Sequence, residues 1–206
     1  MNFIDRVPLF IVLVFSIIFH EVAHGMVALW RGDTTARDAG RLTFNPIPHI
    51  DLFGTILFPL FLILMQSSFL FGWAKPVPVD PRRFSQAQKD MALVGAAGPA
   101  SNLFLAVVLG LVARWAIPHL GTAHMMTQAL GFGVMINLVL AVFNLMPIPP
   151  LDGSRILLAF LPVRFIKPYI QLERYGMLII FAAFYLGLFR LAVWPVVQLG
   201  MRVILG

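Results

Sequence analysis

The 206-residue sequence contains no cysteine and little charge. Without thiolates, cysteine nucleophiles, disulfide staples and cysteine-rich zinc sites are all excluded. Asp, Glu, Lys and Arg make up 12% of the chain, about half the share found in soluble domains. Hydrophobic residues make up 60% and the mean hydropathy is +0.89, which excludes a disordered chain and a water-soluble fold. The formal charge of +6 is not gathered into a stripe. Basic residues fall mostly between apolar runs, with Lys75, Arg82, Arg83 and Lys89 in one gap and Arg164, Lys167 and Arg174 in another. That is the pattern of membrane-protein loops, not of a nucleic-acid surface. An integral membrane protein remains, whose polar chemistry must come from nine carboxylates, five histidines, fifteen Lys/Arg and neutral groups.

Crossing the hydrocarbon takes roughly 20 apolar residues. Segments 7–30, 52–71 and 91–113 are long enough. A fourth, 128–161, is interrupted by Asn144, three prolines, Asp152 and Gly153, and the last, 175–205, contains Arg190 and Pro195. The first begins like a signal peptide, but its length, its lack of a cleavage site and its embedded His and Glu identify a retained span. The expected fold is an all-α polytopic membrane protein with five to six transmembrane segments. One helix is broken, and short membrane-associated segments are extended. Residues 32–50 carry Thr, Gly and Asn punctuation that suits a hairpin. In 72–80, prolines alternate with valines, favouring an extended stretch without a full set of donors. No repeat or appended soluble module interrupts the chain, which reads as one domain over 1–206. If every segment crosses, the N-terminus shares a side with loops 72–90 and 162–174, and the Lys/Arg bias places that side in the cytoplasm.

Within the first span stands FHEVAHG, carrying His20, Glu21 and His24. Residues four apart on a helix lie about 40° apart around the axis and about 6 Å along it, so both imidazoles face one point. Two neutral imidazoles suit Zn²⁺, and Glu21, beside the first of them, is placed to take a proton from water. H-E-x-x-H is the metalloprotease signature for that reason. The structural alternative makes the histidines packing residues paired with Glu21. An ionised Glu and two His inside an apolar span are nevertheless costly, and mark function by default.

A catalytic zinc needs a third protein ligand. The longer soluble pattern H-E-x-x-H-x-x-G-x-x-H is not continued, because Val27 and Trp30 replace its Gly and third His. Of the remaining acids, Asp152 alone lies within an apolar stretch, in NLMPIPPLDG (144–153). Its prolines and glycine break the helix, so Asp152 either presents its carboxylate at the depth of His20 and His24 or caps the helix that follows. His49 is the next candidate, while His119 and His124 lie in a polar gap.

FHEVAHG with NLMPIPPLDG resembles the site-2 protease family of intramembrane zinc metalloproteases, peptidase family M50. The stretches AGRLTFNPIPHIDLFGT, GWAKPVPV and GAAGPASN extend the resemblance over about residues 19–158, and the chain looks like the compact prokaryotic branch without PDZ or CBS domains. The resemblance implies one zinc held by His20, His24 and Asp152, with Glu21 activating water. It implies transmembrane-helix protein substrates and residence in the lipid bilayer of a prokaryotic cell membrane. Asn144 matches a family residue thought to orient substrate or stabilise the oxyanion. The alternative is that Asn144 ties down carbonyls at the helix break, and Asn102 in GAAGPASN is expected to be structural. A rival function is a membrane transporter or metal-ion carrier using the same His/Asp site.

Overall fold

The computed structural model describes residues 3–65 and 73–206. Helix α1 (Phe3–Trp30) carries the H-E-x-x-H motif and is followed by a four-residue helix α2 (Thr35–Asp38) and a 3₁₀ turn at Ile47–His49. A π-helical turn, Leu52–Leu57, leads into α3 (Phe58–Leu64). Two long antiparallel helices follow, α4 (Ala87–Leu120) and α5 (Met125–Asn144). The non-helical residues 145–151 then lead to α6 (Asp152–Leu158). The chain ends in α7 (Val163–Gln171), α8 (Gly176–Tyr185), α9 (Leu188–Ala192) and α10 (Trp194–Leu205). The expected helix break is therefore present, at Asn144–Asp152.

Four helices among the described residues are long and apolar enough to cross a bilayer: Val7–Trp30, Ala87–Leu120, Met125–Asn144 and Leu188–Leu205. Five to six were expected. The segment expected at 52–71 runs partly outside the described residues, and its described part is too short to span. Its flanks also return to one end of the molecule. Arg31, at the end of α1, pairs with Asp90 in the first turn of α4 at 2.6 Å, and the Arg83 guanidinium donates to Thr34 Oγ1 at 2.8 Å. The chain between α1 and α4 thus makes no net crossing. The start of α1 and the 73–90 loop lie at opposite ends of the bundle, not on the shared side that parity implied.

The expected hairpin at 32–50 is also absent, and no strand occurs among the described residues. Side chains there divert the backbone into turns. Asp33 accepts the Thr35 N–H, Thr43 Oγ1 accepts the Asn45 N–H, and Asn45 Oδ1 accepts the Ile47 N–H. Residues 73–80 form no ladder and are fastened instead by single bonds. The N–H groups of Trp73, Lys75, Val77 and Asp80 donate to Gly54 O, His49 O, Glu21 Oε2 and Asp33 Oδ2. Pro76 and Pro78, between these donors, have no N–H to satisfy. Gly54 is required under Trp73, since a Cβ there would overlap the indole ring.

Asp33 joins the end of α1 to the turn at 80–83. Burial pushes its carboxyl up, but hydrogen bonds from Thr35 and the Asp80 N–H, with Arg83 close by, outweigh this and hold it below the usual carboxylate range.

The interior is built by α1, α4, α5 and α10. Ala106, Val134, Leu138, Val193 and Val197 form its main cluster. Small residues let the helices approach closely, as expected between spans. Gly200 lies against Leu138, and Gly110 against Ile204. These contacts run α10 away from the end that carries the 31–50 and 73–90 loops.

Candidate metal centre

Two antiparallel helices build the site from matching four-residue spacings. Ser16, His20 and His24 form one stripe of α1, and Val94, Gly98 and Asn102 face them from α4. Four-residue spacing keeps each set on one face, and antiparallel packing brings the two faces together. His20 and His24 are 6% and 8% exposed. Their Nε2 atoms lie 3.0 Å apart. Asp152, the first residue of α6 after the break, places Oδ2 at 3.1 Å from His20 Nε2 and 3.3 Å from His24 Nε2. One ligand atom from each residue lies within 4.8 Å of the others, and this is the one such His/Cys/Asp/Glu group among the described residues.

The outer nitrogen of each ring decides what the inner one can do. His20 Nδ1 lies 2.6 Å from Asn102 Oδ1, and His24 Nδ1 lies 2.6 Å from the Val94 carbonyl. Both partners accept, so both Nδ1 atoms carry the proton and both Nε2 atoms present lone pairs to the Asp152 carboxylate. Asp152 Oδ2 is buried and has no hydrogen-bond donor. Two lone pairs and a carboxylate crowded together call for a cation.

The donor set is two nitrogens and one oxygen, as in catalytic zinc sites, and tetrahedral ligands about 2.0–2.1 Å from zinc stand about 3.3 Å from one another. Separations of 3.0, 3.1 and 3.3 Å fit that edge. Gly98 leaves the space open, since a Cβ there would lie 2.5 Å from His20 Nε2 and closer still to His24 Nε2. His20, His24 and Asp152 therefore fit zinc.

Glu21 points to the neighbouring sector of α1, where Oε2 accepts the Val77 N–H at 2.8 Å. Asn144 donates from Nδ2 to the Leu140 carbonyl at 3.0 Å, within its own helix. His49 lies apart from the cluster: its Nε2 meets the Thr43 carbonyl at 2.9 Å. His119 and His124 are exposed, and His124 accepts the Met126 N–H at the start of α5. Asn102, expected to be structural, touches a ring of the cluster. Val94 and Gly98 were not singled out at all. The four-residue spacing shared by 16/20/24 and 94/98/102 is the signal that could have found them.

The chain is 40% identical over 202 residues to a Bacillus subtilis (strain 168) protein named "Putative zinc metalloprotease YwhC", covering 96% of this chain and 89% of the relative. It belongs to peptidase family M50, the site-2 protease family. The Peptidase family M50 model matches residues 116–188, the part that carries Asn144 and Asp152. "Putative zinc metalloprotease Rip2" of Mycolicibacterium smegmatis (strain ATCC 700084 / mc(2)155) is 33% identical over 141 residues, 67% of this chain and 51% of that protein. No solved structure matches the chain at a significant level. Membership of family M50 and these names support a zinc-dependent protease function and protein substrates, in an integral membrane protein.

Proposed function

We propose that this protein is an intramembrane zinc metalloprotease that hydrolyses peptide bonds of transmembrane-helix substrates. The observation that carries the proposal is the convergence of His20, His24 and Asp152 beside Glu21, inside a bundle of apolar helices. His20 Nε2, His24 Nε2 and an Asp152 carboxylate oxygen would hold the metal. When bound, zinc lowers the pKa of water towards 7 and polarises the scissile carbonyl.

Glu21 takes the water proton on a carboxylate oxygen and passes it to the leaving amine. The Val77 N–H on Oε2 holds that carboxylate in place. Asn144, once its amide leaves the Leu140 carbonyl, donates an N–H to the developing oxyanion or to the substrate backbone. A substrate helix hides its carbonyls in i→i−4 bonds and must unwind before hydrolysis. An extended segment beside the site could then hold it as an added strand; residues 43–50 are taken up by turns. Residues 74–79 are in no helix or strand and are tied to Glu21 through Val77, which suits them to receive it.

Purified protein is expected to cleave a helical membrane substrate, to stop when a chelator strips zinc, and to resume when zinc is returned. Metal flux through proteoliposomes without any cleavage would favour the carrier alternative and overturn the proposal.

The orientation follows from where the basic residues fall in the fold. Arg31, Arg37, Arg41, Lys75, Arg82, Arg83 and Lys89 lie around the joined ends of α1 and α4. Arg164, Lys167 and Arg174 follow α6, whose Leu158 carbonyl takes the Gln88 amide at that same end. Arg114 and Arg202 lie near the far ends of α4 and α10. The positive-inside rule makes the first end cytoplasmic and puts both termini outside, in a bacterial cell membrane. Alkaline phosphatase fused to the C-terminus in a bacterial host is expected to be active. An inactive phosphatase there, with a fluorescent GFP fusion at the same point, would reverse the orientation.

A further inference from the structure

A chain of buried polar side chains runs away from His20 into the bundle and takes no part in the chemistry proposed above. Ser16 on α1, Asn102 on α4 and Asn137 on α5 are 1%, 0% and 0% exposed. Three polar side chains at one level of an apolar bundle are costly unless fully bonded. All three are.

The directions of these bonds can be worked out from the far end. The Val12 carbonyl can only accept, so the Ser16 hydroxyl donates to it, at 2.8 Å. Ser16 Oγ then accepts from Asn137 Nδ2 at 2.8 Å, and the same amide nitrogen donates to the Gly133 carbonyl at 2.8 Å. Asn137 therefore turns Oδ1 towards Asn102 and accepts from Asn102 Nδ2 at 2.8 Å. Asn102 Nδ2 also reaches the Ser16 carbonyl, at 3.4 Å. That leaves Asn102 Oδ1 facing His20, where it can only accept the Nδ1 proton. His24 needs no such device, because a main-chain carbonyl, Val94 O, cannot turn round.

We infer that Asn102 is a positioning residue for His20, and that Asn137 and Ser16 hold the Asn102 amide in the one orientation that keeps His20 Nε2 unprotonated towards the metal. Two main-chain carbonyls, of Val12 and Gly133, thereby select the tautomer of a ring they do not touch. The inference rests on His20 being a zinc ligand. Partners of this kind fix the ring orientation and the tautomer of metal-bound histidines, and losing one typically costs 10–100-fold in metal affinity.

The test is zinc affinity of the full chain in detergent, by competition with a chromophoric chelator, together with the melting temperature of each zinc-free protein. Asn102→Leu, close in size but without an acceptor, is expected to weaken zinc binding by about 10–100-fold. Asn102→Asp keeps an acceptor on Nδ1 and is expected to restore most of that loss. Asn137→Leu touches neither histidine yet frees the Asn102 amide to turn, and is expected to cost about 3–10-fold, within the span of outer-shell effects. Should Asn102→Leu fail to fold, Asn137→Leu decides alone.

A network that merely staples the three helices would lower zinc-free melting and leave affinity unchanged. That result, or wild-type affinity in Asn137→Leu, overturns the inference. His20→Ala separates the two levels. If it binds zinc as tightly as wild type, the ligand assignment itself has failed. If it loses zinc while the Asn variants keep theirs, only the relay has.

Discussion

Replacing Glu21 by Gln is expected to abolish cleavage of a membrane-helix substrate while zinc stays at about one per chain. The carbonyl-type oxygens of Glu and Gln side chains are alike as acceptors. The substituted amide could therefore still take the Val77 N–H that Glu21 Oε2 holds at 2.8 Å, and the 73–80 segment keeps its tie to α1. An amide cannot accept the water proton, so the change removes proton transfer and little else. General-base catalysis contributes about 10²–10⁴-fold, so turnover is expected to drop to that extent or below detection. His20, His24 and Asp152 are untouched, and metal content measured by atomic absorption is expected to match wild type. An active Glu21→Gln protein would sink the base assignment. Loss of zinc with activity would instead make Glu21 a ligand.

The second large effect is expected from one methyl group. Gly98→Ala puts a Cβ 2.5 Å from both Nε2 and Cε1 of His20, and closer still to His24 Nε2. Such a contact could be relieved if the rings were free to retreat, but each is pinned at Nδ1, His20 to Asn102 and His24 to the Val94 carbonyl. Both pins belong to α4, the helix that carries Gly98. The methyl therefore displaces the two nitrogens that face Asp152.

Zinc content and activity are expected to be lost together in Gly98→Ala, while the protein still folds. Overpacking typically costs about 1–3 kcal/mol, and alanine's preference over glycine in a helix interior returns about 1 kcal/mol, so the zinc-free variant is expected to melt no more than a few degrees below zinc-free wild type. Gly131→Ala in α5 is the matching control, because nothing lies within 4 Å of a Cβ there, and it is expected to keep full zinc. A Gly98→Ala protein with wild-type zinc would mean the cradle is not closed by α4 at all.

Much of the candidate site was legible because its residues stand out locally. His20, Glu21 and His24 share one turn of an apolar helix, and their spacing alone puts both rings on one face. Asp152 was legible for a different reason: prolines and glycine on either side of it break an apolar stretch, and the structure opens the helix there. His49 could not be set aside in this way, since nothing in its neighbourhood says that its ring turns to the Thr43 carbonyl. The 32–50 stretch misled for a related reason. Thr, Asn and Gly punctuate hairpins and side-chain-bonded turns alike, and only the bonds formed by Asp33, Thr43 and Asn45 distinguish them.

Composition and short-range periodicity by themselves determined a membrane-embedded helical chain and a two-histidine motif with a carboxylate beside it. They also marked Asp152 as the acid that could complete a zinc site. These properties are carried by neighbours in the chain, where helix geometry converts spacing directly into direction. Tertiary structure alone decided the rest. It returned the chain after α1 to the end it had left, so that Arg31 meets Asp90. It also brought Asn102 onto His20 across 82 residues and set Gly98 against both rings. Contacts of that range depend on which helix faces approach, and a face is chosen by the packing of the whole bundle.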